Sequence, residues 1–152
     1  MLTNKTRNFI EKTAFNLIID YEKATGKKYN PNDLESILDI VNFLNGNVIY
    51  LNDLYSKYET DEILLSKKDG FTIIIDKEYR ETQIEDTELS IKKIIFRMIW
   101  MYIEEYISDK INFNTNKILY PTQCNIKIED LNNMIKTQNN QIKELKKIKK
   151  DD

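Results

Sequence analysis

The stretch IIFRMIWMYIEEYI, Ile94–Ile107, decides how the chain folds. Ten residues, Ile94 to Ile103, hold a single charge, Arg97, before Glu104 and Glu105 follow side by side. The run is about half of the ~20 apolar residues that span a bilayer. Extended back to Thr87 and on to Ser108, it has the length of a long helix whose apolar residues nearly encircle it. A helix apolar on all sides is buried on all sides. It therefore reads as a central core helix, with Met98, Trp100 and Met101 either as core filling, the favoured reading, or as an exposed patch marking a partner groove.

The neighbouring segments supply what such a helix packs against. Phe9, Ile10, Ala14, Leu17, Ile18 and Tyr21 form one apolar stripe, and Gly26 suits a helix stop. In NPNDLESILDIVNFLNG, Asn30 is the expected cap, Pro31 fits the first turn, Asp33 lies at the electropositive end, and Gly46 ends the helix. NVIYL reads as a short strand, and LYSKY as a helical turn capped by Asn52 or Asp53. EILLSKKDGFTIIID reads as a β-hairpin turning at Asp69-Gly70. KEYRETQIEDTELS is expected as a polar, acidic loop, and KINFNTNKILYPTQCN as irregular chain with a strand at Lys117–Tyr120. From Ile126 to Lys150 one helix carries Ile128, Leu131, Ile135, Gln138, Ile142 and Leu145 in an a/d heptad pattern with one polar d position.

The expected fold is thus α+β. A small antiparallel sheet, the hairpin plus a short strand, packs on the buried helix, with two helices before it and an amphipathic, coiled-coil-like helix at the end. Residues 1–125 form the globular body, and residues 126–152 the C-terminal helix with its lysine-rich end.

At 152 residues the chain suits one domain able to bury a core. Ile, Lys and Asn dominate over two alanines and three glycines, the bias of an AT-rich genome. The formal charge of −2 makes no global case for nucleic acid, and lysines greatly outnumber the three arginines, Arg7, Arg80 and Arg97. There is no histidine, which removes His-based triads, His general bases and the usual catalytic zinc sets. Cys124 is the only cysteine, so no internal disulfide forms, and a reducing, cytoplasmic setting is expected without a membrane segment. No calcium loop, phosphate-binding glycine loop or dinucleotide fingerprint is present, and no metal or cofactor is expected.

The candidate contact residues follow from charge and pattern. Glu78, Glu81, Glu85 and Asp86 either form a solvated connection or present an acidic array to a basic partner. Arg97 either faces a pocket or partner, or reaches an edge or pairs with a nearby acid, since an unpaired buried charge is costly. Glu104 and Glu105 diverge by about 100° on a helix and so do not form a facing catalytic pair. In the final helix, Ile128, Leu131, Ile135, Ile142 and Leu145 either join two copies or dock on the body. Lys143, Lys146, Lys147, Lys149 and Lys150 either form a solvated face or touch nucleic acid.

The order helix, strand NVIYL, hairpin, polar loop and Phe-led buried helix, over about Asp33 to Ile107, resembles the ImmA/IrrE-type zinc peptidases of phages and integrative elements. In that family the buried helix carries HExxH. Laid on FRMIWMYIEEYI, the motif places Trp100 and Glu104 at the histidine positions and Met101 at the catalytic glutamate. The resemblance therefore implies a scaffold without zinc, activated water or base, and a scaffold of that kind serves by binding.

The reading favoured is a non-catalytic, protein-binding module of phage or mobile-element type. An inhibitor that occludes a surface of a host defence complex fits it. The alternatives are a dimeric DNA-binding regulator using the last helix, and a magnesium-dependent enzyme in which Glu105 converges with Asp86.

Overall fold

A computed structural model describes residues 4–68, 70–107, 116–122 and 124–151. In chain order these form α1 (Asn4–Thr25), α2 (Leu34–Phe43), β1 (Gly46–Tyr50), α3 (Leu54–Tyr58), β2 (Glu62–Lys67), β3 (Gly70–Ile75), α4 (Lys77–Gln83), α5 (Thr87–Ile107), β4 (Lys117–Tyr120) and α6 (Ile128–Asp151). The fold is α+β. The Asp69 half of the expected hairpin turn, the side chains of Phe9, Ile10 and Ala14, the expected end of α5 at Ser108, and the irregular segment 110–115 lie outside the described residues.

The sheet has four strands in the order β1-β3-β2-β4. The hairpin forms as expected, Glu62 pairing with Ile75 and Lys67 with Gly70, and β4 joins the other side of β2 antiparallel. The sheet is mixed rather than antiparallel, because β1 lies parallel to β3 with Gly46 opposite Phe71 and Tyr50 opposite Ile75. After β1 the chain crosses the strand ends through α3 and returns as β2 one position away, and β3 fills the slot between them. Local turn chemistry reports the hairpin but not which edge a distant strand will join. The join is close: a Cβ on Gly70 would run into the carbonyl oxygen of Asn45, so only glycine fits there.

Both faces of the sheet are covered. Strand alternation sends Leu64, Phe71, Ile73 and Ile75 to one side, where Tyr21, Ile37, Val41, Ile91, Ile95 and Met98 of α1, α2 and α5 pack on them. Ile63 and Ile74 point the other way, into a smaller core with Leu51, Leu54 and Leu131 of α6. The central strand β3, buried along its whole length, accordingly reads as a continuous apolar run.

Three local expectations change in the structure. The cap of α2 is Asp33, whose carboxylate accepts from the Glu35 N–H at 3.3 Å, while Asn30 closes its own turn by accepting from Asn32 N–H at 3.0 Å. Asn45, at φ +62°, takes the left-handed position after α2, which frees Gly46 to open β1. The acidic segment after β3 is a helix, α4, rather than a loop. Asp76, 3 % exposed, explains it: one carboxylate oxygen accepts from Tyr79 N–H at 3.1 Å and the other from Tyr55 N–H at 3.0 Å. A single buried side chain thereby caps α3 and α4 together and sets Tyr55 and Tyr79 in a stack with centroids 3.7 Å apart.

Candidate functional site

β2 opens with an acid on its α5-facing side. The side chain of Glu62 is only 5 % exposed, and a carboxylate so placed is costly unless paired. Two guanidinium groups supply the pairing. Arg97 of α5 reaches Glu62 Oε1 through Nη2, and Arg80 of α4 reaches Oε2 at 3.3 Å. Arg80 also forms an ion pair through Nε with Asp61, without hydrogen-bond alignment, and its Nη1 donates to Ser90 Oγ at 3.5 Å. The Arg97 guanidinium lies 5.6 Å from the Tyr120 ring. Of the two readings of Arg97, the structure shows pairing with an acid, but the partner comes from a strand 35 positions upstream. The signal for Glu62 in the sequence was slight: an acid opening a strand at a position whose alternation points inward.

Arg97 is held at its tip and still half-open, its side chain 49 % exposed. Around it the outer face of α5 is accessible. Leu89 (43 %), Lys93, Arg97 and Trp100 (37 %) recur at spacings that share one side of a helix. This corrects the expectation of a helix buried on all sides. Ile91, Ile94, Ile95, Met98, Ile99, Tyr102 and Ile103 meet the core, while Trp100 faces outward. Met101 packs at the core margin and Glu104 is half-buried, so the positions matched to a metal motif are divided between the outer face and the core edge. Beside Arg97 a groove of about 400 Å³ separates α4 from α5, with Arg80, Ile84, Asp86, Ser90 and Lys93 among its walls.

The acidic residues do not gather into one array. Glu78 and Glu81 are exposed on α4, and Glu85 is exposed in the link to α5. Asp86 caps α5 by accepting from Leu89 N–H at 3.0 Å. Glu105 lies at the far end of the same helix, 19 residues or roughly 28 Å from Asp86 at 1.5 Å per residue, so the envisaged magnesium pair does not converge.

The heptad helix α6 is divided. Leu131 is fully buried in the second core, with Met134 and Ile135 packed beside it and Ile128 half-buried. Gln138, the one polar d position, closes the docked half: its amide donates to the Tyr50 carbonyl at 2.7 Å and accepts from Asn52 N–H at 2.8 Å. Beyond it Ile142, Leu145 and Ile148 are 42 %, 62 % and 59 % exposed, with Lys143, Lys146, Lys147 and Lys149 exposed among them. The side chain of Lys150 lies outside those described. The set read as a dimer seam is thus split, Leu131 and Ile135 being engaged by the chain's own body.

The shifted titrations fall on tyrosines. Burial pushes the Tyr29 hydroxyl up to about 12 and raises those of Tyr50 and Tyr21, the last also through Asp39, to which it donates at 3.3 Å. Tyr79 is raised chiefly by its hydrogen bond with Tyr55. Among the described residues no three His, Cys, Asp or Glu side chains are grouped to hold a metal, and no helix is long and apolar enough to cross a membrane. Comparison with protein-family models, curated proteins and solved structures finds no match to the chain.

Proposed function

We propose that the chain is a protein-binding module acting by contact rather than catalysis, with the outer face of α5 as its main surface. The observation that carries this is the exposure of Leu89, Arg97 and Trp100 along one side of a helix whose other side is the core. Tryptophan and arginine dominate the energetics of protein interfaces, where a rigid backing and a surrounding rim that keeps water out make them anchors. α5 provides the backing, and the clamp on Glu62 holds Arg97 in place before any partner arrives, which lowers the ordering cost of binding. In its fuller form the proposal is an inhibitor from a phage or mobile element that covers a surface of a host defence complex. The residue bias and the small size support that form.

The test is affinity capture on the immobilised full chain from lysate of an AT-rich bacterium, read by mass spectrometry. The expected result is one stoichiometric protein, retained by wild type and by Leu145→Glu and lost with Leu89→Glu or Trp100→Ala. Capture of no protein, or capture indifferent to both α5 substitutions, overturns the proposal.

A further inference from the structure

Among the described residues nothing packs on the second half of α6, and its chemistry states what would cover it. Thr137 and Gln141 line a cleft of about 420 Å³ whose opposite wall, near α3, includes Asn52, Asp53 and Lys57, with Asp130 at its inner end. The excess of positive charge lies further out, along the projecting helix. On the helix the same side continues through Leu145 and Ile148, at spacings of four, four and three residues. The cleft therefore runs out along an exposed apolar line. From Gln138 to Asp151 the helix advances about 20 Å at 1.5 Å per residue, enough to seat three turns of a partner.

Charge narrows the occupant. Between Ile142 and Lys149 four exposed lysines stand against one acid, Glu144. Lys146 and Lys149 are heptad e and a positions, immediately beside the apolar line. A second copy would set this cluster against itself, and parallel pairing would stack Lys149 on Lys149 in the seam, which like charge opposes. A nucleic-acid backbone would meet the lysines and leave Leu145 and Ile148 in water. A flat bilayer would be held off Thr137 and Gln141 by the opposite wall of the cleft. A narrow element with an apolar ridge flanked by carboxylates satisfies all three features.

We infer that the projecting half of α6, with the cleft at its base, is a docking groove for an acidic amphipathic helix of a partner protein. It stands on a different element from the α5 surface and does not depend on it.

The test is a titration of isotope-labelled full chain, followed by amide NMR, with a synthetic peptide of three heptads bearing Ile at a, Leu at d and Glu at e and g. Matched peptides carry Gln or Lys at e and g. The expected result is shifts centred on residues 137–149 with the Glu peptide, at an affinity about tenfold or more above the Gln peptide, weakening with salt and absent for the Lys peptide. Leu145→Glu with Ile148→Glu, and separately Lys146→Glu with Lys149→Glu, abolish the shifts, while Trp100→Ala leaves them unchanged. Equal binding of the Glu and Gln peptides overturns the inference, as do shifts confined to other residues. So does tighter engagement of duplex DNA or phosphatidylglycerol vesicles by the same residues, or a dimer in sedimentation that Leu145→Glu dissolves.

Discussion

The helices α5 and α6 are similar in length, 21 and 24 residues, and each pairs a buried face with exposed apolar residues. In α5 the two faces lie back to back: Ile95 and Met98 sit in the main core, and Leu89 and Trp100 look outward from the same turns. In α6 they lie end to end: Leu131 is buried, and Ile142 and Leu145, on the same heptad face, are open beyond the last hydrogen bonds to the described body, at Gln138. The difference shows that an apolar pattern declares that a face wants cover without saying whether the chain itself supplies it. On α5 the sheet covers one side. On α6 the second core engages only the first half of the helix, through Leu131, Met134 and Ile135.

The largest contrast in stability is expected within α6. Leu131→Ala should cost about 3 kcal/mol, the loss for a fully buried leucine, whereas Leu145→Ala should stay within about 0.5 kcal/mol. Urea denaturation of both variants decides it, and equal losses would mean that the second half is packed after all. Next in size is the clamp that steadies α5. Glu62→Gln leaves two guanidiniums facing a neutral amide and should cost about 2 kcal/mol, less than a fully buried pair because Arg97 is half-open. It should also weaken partner capture through α5 without touching peptide binding at α6.

Gln138→Ala removes two hydrogen bonds to the chain near the end of β1 and should cost about 1 kcal/mol. Hydrogen exchange should then rise along α6 while α5 keeps its protection. A further test uses pH. Tyr29, whose ring meets Phe96 of α5 at 6.5 Å, has its hydroxyl raised from 10.0 to about 12 on folding, so the folded state favours the protonated form. Stability from this group is complete below pH 10 and declines as pH rises toward 12. Urea midpoints measured across that window should fall, and the fall should be smaller, though not abolished, in Tyr29→Phe, because Tyr21 and Tyr50 shift the same way. Trp100→Ala should also cost about 1 kcal/mol, well short of the loss for a fully buried tryptophan because the ring is 37 % exposed, while abolishing partner capture.

Much of the secondary structure was legible in local chemistry. The Gly26 stop, the hairpin ending at Gly70 and the start of α5 at Thr87 rest on interactions a few residues long, whereas the strand at Lys117–Tyr120, legible from its apolar pattern, forms by pairing with β2, and α6, expected from Ile126, begins at Ile128. The acidic helix α4 was not legible, because the group that starts it, Asp76, divides its carboxylate between two helices that only the folded chain brings together. The candidate surface was half legible. Arg97 stood out as a charge in an apolar run, but its partner Glu62 was unremarkable, and Trp100 looked like core because composition cannot show which side of a helix the sheet will occupy.

Most helices and strands, the α+β class and the absence of histidine chemistry are readable from the residues alone, since they follow from backbone preferences, side-chain period and the residues present; α4, whose cap is shared across the fold, is not. Tertiary structure alone decided that β1 joins β3 in parallel, that Glu62 gathers Arg80 and Arg97, and that the heptad of α6 is half covered. Each of these depends on which distant segments meet, and a one-dimensional pattern carries no record of that distance.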